Sequence, residues 1–171
     1  MDTSRIVLRP FKLSDADDFQ KWMSHHEVKR YLRSFTFSSR DDALKFIEKE
    51  ATPHPWYRSI CLEDTSIGFI FFEPGPGLDR CRARVGYAIA FEHWGRGIAT
   101  TALKIAISQV FKDIPDLVRL QAIVEVENKA SQRVLEKVGF LKEGLLRKYG
   151  YCEGQIRDVL IYSFLSTDMV L

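Results

Sequence analysis

The segment Trp94-Gly95-Arg96-Gly97-Ile98-Ala99-Thr100 places two closely spaced glycines and an arginine directly before a run with helical periodicity. The first backbone N–H groups of a helix have no partner inside that helix, and the helix dipole favours negative charge beside them. Glycine lets an anion approach the backbone closely, and Arg96 adds a cation at the rim. The segment therefore predicts a phosphate or pyrophosphate site.

Other interpretations of this segment are open on the residues alone. A Walker-type P-loop would need a Gly-Lys-Ser/Thr ending, which is absent. A dinucleotide fingerprint would need a third glycine where Thr100 stands, and Asp116 precedes the next predicted strand instead of ending it. A purely structural turn, in which the glycines only allow tight packing, stays a third explanation.

Segments with helical periodicity and segments typical of strands surround the glycine segment. Residues 98–111 carry apolar side chains at helical spacing, and Pro115 follows. Upstream, we predict a first strand from Ile6, a helix with Ser14 as N-cap, a helix after Ser38 and Ser39, and strands over 57–62, 66–72 and 82–91. Downstream, we predict a strand over 117–126, a helix over 128–138, and strands over 140–146 and 159–165. This order predicts an α+β or mixed α/β sheet.

Composition narrows the classes of function. The 171 residues suit a single domain over 1–171, and a net charge of +2 gives no footprint for a nucleic acid partner. The three cysteines are far apart and form no CxxC pair, which argues against a zinc site or a disulfide framework, and we predict no metal. The apolar runs are too short to cross a membrane, and the N-terminus has no apolar core of a signal peptide. We therefore expect a soluble, cytoplasmic protein, either a monomer or a homodimer.

Two motifs resemble the GNAT superfamily of N-acetyltransferases. Residues 86–100, which end in Trp94-Gly95-Arg96-Gly97-Ile98-Ala99-Thr100, resemble the family's acetyl-CoA motif, with Trp94 in place of the usual Arg or Gln. A tryptophan at that motif position resembles the pattern in the branch of ribosomal-protein-alanine N-terminal acetyltransferases. Residues 128–140, from Asn128 through Ser131 and Leu135 to Gly139-Phe140, resemble that branch's second signature.

The resemblance implies a GNAT fold and an acetyl-CoA co-substrate. The fold would be a central, mostly antiparallel sheet of six to seven strands with a splayed parallel pair, flanked by about four helices. Backbone groups of Ile89 and Phe91 would hold the pantetheine arm like an added strand, and Asn128 would bind the arm near its thiol end. The remaining cofactor contacts would come from Trp94, Gly95, Arg96, Gly97, Ile98, Ala99, Thr100 and Ser131.

The resemblance also implies a direct transfer in a ternary complex. A primary amine, either a protein N-terminus or a small molecule, attacks the thioester, and backbone N–H groups of the 89–91 segment stabilise the oxyanion. Ser131 is the candidate acid, although it could equally serve the helix structurally. Some family members carry a glutamate base where this chain has Ala83, so Glu73, acting through a water, is the candidate base. A solvated end of a strand is the plainer explanation for Glu73.

Two other functions are alternatives on the same residues. A non-catalytic acyl-CoA-binding or sensing module would use the same phosphate motif, and the alanine at position 83 is compatible with it. A nucleotide-dependent oxidoreductase is a further alternative, against which the missing third glycine counts.

Overall fold

The computed structural model describes residues 5–32, 39–152 and 154–171. Seven strands form one sheet in the order β1-β2-β3-β4-β5-β7-β6. The strands are β1 (Ile6–Arg9), β2 (Tyr57–Leu62), β3 (Thr65–Pro74), β4 (Arg82–Ile89), β5 (Arg119–Glu125), β6 (Leu141–Cys152) and β7 (Gln155–Leu165). The helices are α1 (Ala16–Met23), α2 (His26–Lys29), α3 (Arg40–Phe46), α4 (Ile98–Asp113) and α5 (Lys129–Val138).

The strand pairing confirms the predicted mixed α/β sheet with one parallel pair. β4 and β5 are parallel, whereas β1–β2, β2–β3, β5–β7 and β6–β7 are antiparallel. The parallel register joins Arg82–Arg84 of β4 to Arg119–Gln121 of β5, and both strands continue beyond it. No helix among the described residues is long and apolar enough to span a membrane.

The chain divides into two compact units, so the single domain over 1–171 stays a prediction. The first unit comprises the described residues up to Phe71 together with Tyr87–Ala102. Its core is aromatic: Phe19 makes an edge contact with Trp22 at 5.0 Å and stacks on Phe46 at 5.3 Å between ring centroids. Such pairs add to the apolar area that the helices bury against β2 and β3.

The start of α1 differs from the prediction. Ser14 lies in a 3-10 turn (Leu13–Asp15), and α1 begins after Asp15, so the predicted Ser14 N-cap is wrong. Asp15 is buried and accepts hydrogen bonds from both terminal nitrogens of Arg9, each at 2.8 Å, and from the backbone N–H of Lys12. This charged pairing, which spans β1 and the turn, decides where the helix starts. The helix predicted after Ser38 and Ser39 begins at Arg40, and Ser39 caps it, since its Oγ accepts from the Asp42 amide.

The second unit comprises Phe72–Gly86 and Leu103–Leu171. In it, the Glu143 carboxylate of β6 accepts hydrogen bonds from Arg119 of β5 and from Ser163 of β7. These contacts, with Arg119 the stronger cause, lower the pKa of Glu143 to about 2. At neutral pH the three strands are therefore joined through a charged carboxylate.

Two strands end at residues other than those predicted from the sequence. β4 ends at Ile89, so Phe91 lies in a 3-10 turn (Phe91–His93) instead of the strand predicted over 82–91. The turn forms because the amides of His93 and Trp94 donate to the carbonyls of Ala90 and Phe91. At the other end of the chain, β6 continues to Cys152, six residues beyond the predicted strand end at Leu146.

The buried pair of Arg9 and Asp15 yields a stability prediction. Asp15→Ala removes two hydrogen bonds from the Arg9 guanidinium and one from the Lys12 amide, while Arg9 keeps its ion pair with Asp64. We therefore expect the free energy of unfolding to fall by about 2 kcal/mol. Asp17→Ala is the matched control, because Asp17 pairs with Arg40 on the surface, and its loss should cost less than about 1 kcal/mol. Urea denaturation of both variants measures the difference, and equal costs would contradict the assignment.

Candidate active site

The turn between β4 and α4 lies entirely in the first unit. Gly95 and Gly97 have φ angles of 73° and 78°, a left-handed region that residues with a Cβ rarely adopt. A Cβ built at either glycine would meet no atom within 4 Å. The two glycines are therefore required by the backbone path, and the space beside them is open to a ligand.

The amide end of α4 opens onto this space. The Thr101 amide donates to the Gly97 carbonyl at 3.0 Å, so Gly97 is the N-cap residue directly before α4. The amides of Ile98, Ala99 and Thr100 come before the first intrahelical donor and have no carbonyl of the helix to bond. Because α4 is 16 residues long, its dipole adds positive potential at this end. The arrangement can bind an anion such as a pyrophosphate.

The Trp94 side chain holds the turn through a hydrogen bond and ring contacts. Its indole N–H donates to the Ile89 carbonyl at 2.8 Å, which ties the end of β4 to the residue before the glycines. The Trp94 ring also packs edge-on against Phe91, and Phe91 stacks on His25 with 4.5 Å between ring centroids. Trp94 therefore holds the turn, and one lone pair of the Ile89 carbonyl is already used.

Charge at the turn comes from Arg96. Burial lowers the pKa of neighbouring His93; the Glu92 carboxylate opposes this shift, and the Arg96 guanidinium adds to it. With its pKa lowered, His93 is consequently uncharged at neutral pH and adds no positive charge to the turn. The exposed residues Gly95, Arg96 and Gly97 thus combine one fixed cation with an accessible backbone.

Asn128 and Ser131 lie together in the second unit. The Asn128 side-chain oxygen accepts from the Ser131 amide at 3.0 Å and so caps α5. Gln132 then donates from its side chain to the carbonyls of Glu125 and Val126, which fixes α5 to the end of β5. Both predicted residues are half-buried, and the Asn128 amide nitrogen is not used in this cap.

Glu73 forms an ion pair in the second unit. Its Oε2 accepts from Nη2 and Nε of Arg84 at 2.6 and 2.9 Å, so both of these hydrogen bonds go to the same carboxylate oxygen. The two residues line a cleft of about 280 Å³, together with Pro74, Gly75, Pro76, Arg82 and Gln121. Ala83, between Arg82 and Arg84, is buried and offers no carboxylate. The prediction that Glu73 acts through a water stays a prediction.

Sequence reasoning missed two partners of the predicted site residues. The Trp94 bond to Ile89 could have been anticipated, because an indole N–H near a strand end commonly finds a carbonyl. The partnership of Glu73 with Arg84 had a weaker signal, namely opposite charges on neighbouring strands.

The chain belongs to the GNAT acetyltransferase family, whose domain model matches residues 5–141. It is 34% identical to the uncharacterized N-acetyltransferase YoaA of Bacillus subtilis over 171 residues, 96% of each chain. The Mycobacterium smegmatis RimJ structure, in complex with CoA-disulfide, superposes with a TM-score of 0.82 at 25% identity, covering 94% of this chain and 82% of that one. The ribosomal-protein-S5-alanine acetyltransferase of Vibrio fischeri has the same fold, with a TM-score of 0.81, 24% identity and 98% and 96% coverage.

These similarities confirm the GNAT assignment and the likeness to the ribosomal-protein acetyltransferases. The chain is an acyltransferase enzyme of the N-acetyltransferase class, and the family uses acetyl-CoA.

The Trp94 hydrogen bond predicts an effect on cofactor affinity. Trp94→Phe keeps an aromatic ring beside Phe91 but removes the indole N–H, which should loosen the turn and weaken acetyl-CoA binding about fivefold. Calorimetric titration measures the affinity, and thermal unfolding checks that the variant is folded. A folded variant with unchanged affinity would show that the bond does not position the turn.

Proposed function

We propose that this enzyme transfers an acetyl group from acetyl-CoA to a primary amine, on a protein N-terminus or a small molecule, by direct attack in a ternary complex. The observation that carries the proposal is the amide end of α4, which follows two left-handed glycines and is open to an anion. A pyrophosphate is the part of acetyl-CoA that such a helix end binds best.

Each cofactor contact has a candidate residue. Backbone amides from Gly95 to Thr100, assisted by Arg96, would bind the pyrophosphate, and Trp94 would keep their geometry. The backbones of Ile89 and Phe91 would bind the pantetheine arm. Asn128 would contact the arm near its thiol end through the amide nitrogen that the helix cap leaves over, with Ser131 beside it.

The reaction needs an amine, an oxyanion site and a proton path. The amine nitrogen forms a bond to the thioester carbon, the carbon–sulfur bond breaks, CoA leaves as a thiolate, and the attacking nitrogen loses a proton. The Ala90 amide already donates to the Ile67 carbonyl at 2.7 Å, which leaves the amides of Ile89 and Phe91 as candidate oxyanion donors. Preorganised donors of this kind stabilise the tetrahedral intermediate.

Proton transfer is assigned to Ser131 and Glu73. Ser131 would protonate the departing thiolate, and its backbone amide makes the bond to Asn128 that caps α5. Glu73 would accept the amine proton through a water at Oε1, because Oε2 holds Arg84.

Titration of the protein with acetyl-CoA tests the binding site, with NADH as the negative control. Gly97→Leu forces a side chain into the left-handed region and into the open space, so we expect at least about a tenfold loss of acetyl-CoA affinity, as a charged hydrogen bond is worth about 1.5–3 kcal/mol. Gly77→Leu is the matched control, because Gly77 has a φ of 56° and is equally open but lies outside the turn. Absent acetyl-CoA binding in the wild type would overturn the proposal.

Removal of the Ser131 hydroxyl tests the acid. Ser131→Ala preserves the backbone bond to Asn128, so α5 stays capped while a proton donor is lost. We expect kcat to fall about a hundredfold with little change in acetyl-CoA affinity. Ser108→Ala, which removes an exposed hydroxyl of α4, should leave kcat unchanged. A wild-type rate in Ser131→Ala would assign that serine to structure alone.

A further inference from the structure

An irregular bulge with three residues opposite one interrupts β6 in the second unit. The register with β7 pairs Leu146 with Val159 and then Gly150 with Arg157, so three residues of β6, Arg147 to Tyr149, stand opposite Asp158 alone. Lys148 has a φ of 49°, which a residue with a side chain adopts only under local constraint. Bulges of this kind redirect side chains and are common beside functional sites.

Asp158 fixes the bulge and joins it to β5. Its Oδ1 accepts from the Lys148 amide at 2.7 Å, which offsets the unfavourable backbone conformation. Its backbone carbonyl accepts from the amide of Val126, two residues before Asn128, at 3.4 Å. One residue of β7 therefore connects the bulge with the segment that leads to Asn128.

The bulge presents positive charge beside apolar surface. Leu145, Leu146, Arg147, Lys148 and Tyr149 line an open groove of about 720 Å³. Among the described residues, neither Arg147 nor Lys148 forms an ion pair with a carboxylate. Asp158 lies at the bulge, where its carboxylate accepts from the Lys148 amide, and Glu127 pairs with Arg157 at 3.7 Å.

The distance from the groove to the segment that leads to Asn128 matches the length of a short extended peptide. The bulge is on β6, and Val126 directly follows β5, with β7 between them. The bulge and Val126 are therefore two strand spacings apart, or roughly 10 Å. Three extended residues span about the same distance. A peptide whose amino group lies by Asn128 would thus place its third or fourth side chain in the groove.

We infer that the acceptor is a polypeptide N-terminus with acidic side chains at its third or fourth residue, which Arg147 and Lys148 bind in the groove on β6. This inference rests on the proposed acetyl transfer at Asn128 and Ser131, and it names the substrate class. Two free cations suit carboxylates and repel a polyamine, whose charges have the same sign. Leu145 and Tyr149 add apolar contact for the peptide chain.

Binding of matched peptides tests the inference without requiring turnover. Peptides of equal length, with free N-termini and a fluorophore at the C-terminus, carry Glu-Glu, Gln-Gln or Lys-Lys at the third and fourth positions. We expect the Glu-Glu peptide to bind about fivefold more tightly than the Gln-Gln peptide, as measured by anisotropy at low salt. A peptide with Glu-Glu moved to positions seven and eight should lose that advantage.

Substitutions locate the effect. The double variant Arg147→Gln, Lys148→Gln should abolish the preference for Glu-Glu, whereas Lys142→Gln, an exposed lysine of the same strand outside the bulge, should preserve it. The inference is overturned if the wild-type protein binds the three peptides with equal affinity, or if Lys142→Gln loses the Glu-Glu preference as fully as the double variant does.

Mass spectrometry of the same mixtures with acetyl-CoA, and of a parallel mixture with a polyamine in place of the peptide, separates the two proposals. Acetylated product that forms fastest on the Glu-Glu peptide supports both. A Glu-Glu binding preference with no acetylated product from any peptide supports the groove and counts against the proposed transfer. Rapid acetylation of a polyamine with no peptide preference supports the transfer and overturns the groove.

Discussion

The left-handed turn at Gly95 and Gly97 is the constraint on which the anion site depends. The chain leaves β4 at Ile89 and must start α4 at Ile98 with its amides accessible. Two positive φ angles set the backbone path, and the Trp94 indole bond to Ile89 holds the residue before the glycines against the end of β4. Had the glycines been ordinary residues, the strain of about 1–2 kcal/mol at each would favour another path, and the helix end would not present the same amides.

Sequence patterns predicted the elements of the fold better than their ends. The long apolar periodicity of α4 and the β2–β3 hairpin need only local information, and both are where the pattern put them. Errors occurred where a distant partner decides. Ser14 is a good N-cap by type, but α1 starts after Asp15 because Arg9, on β1, binds that carboxylate. Likewise, β6 extends through Tyr149 to Cys152 because β7 pairs with it across a bulge, and the bulge depends on Asp158, which no local pattern of β6 reveals.

The candidate site was predictable in proportion to its use of backbone. Gly95 and Gly97 were found because closely spaced glycines before a helix indicate backbone geometry, and both have a left-handed φ. Asn128 came from the resemblance of residues 128–140 to the family signature, and in the structure its side chain caps α5. Side-chain chemistry was harder to predict, since its meaning depends on neighbours. Glu73 looks like a base in the sequence, whereas in the structure one of its oxygens is committed to Arg84.

This balance agrees with the physical demands of amide formation from a thioester. Positioning two substrates can supply about 7–11 kcal/mol of the barrier, whereas proton transfer by one side chain contributes about a hundredfold to ten-thousandfold in rate. An enzyme of this kind can therefore tolerate an alanine at position 83, provided that the backbone near Ile89 and the α4 amides are held rigidly. Rigidity at the cofactor leaves substrate choice to other surfaces. The open groove on β6 is one such surface, where exposed side chains can vary without disturbing the turn before α4.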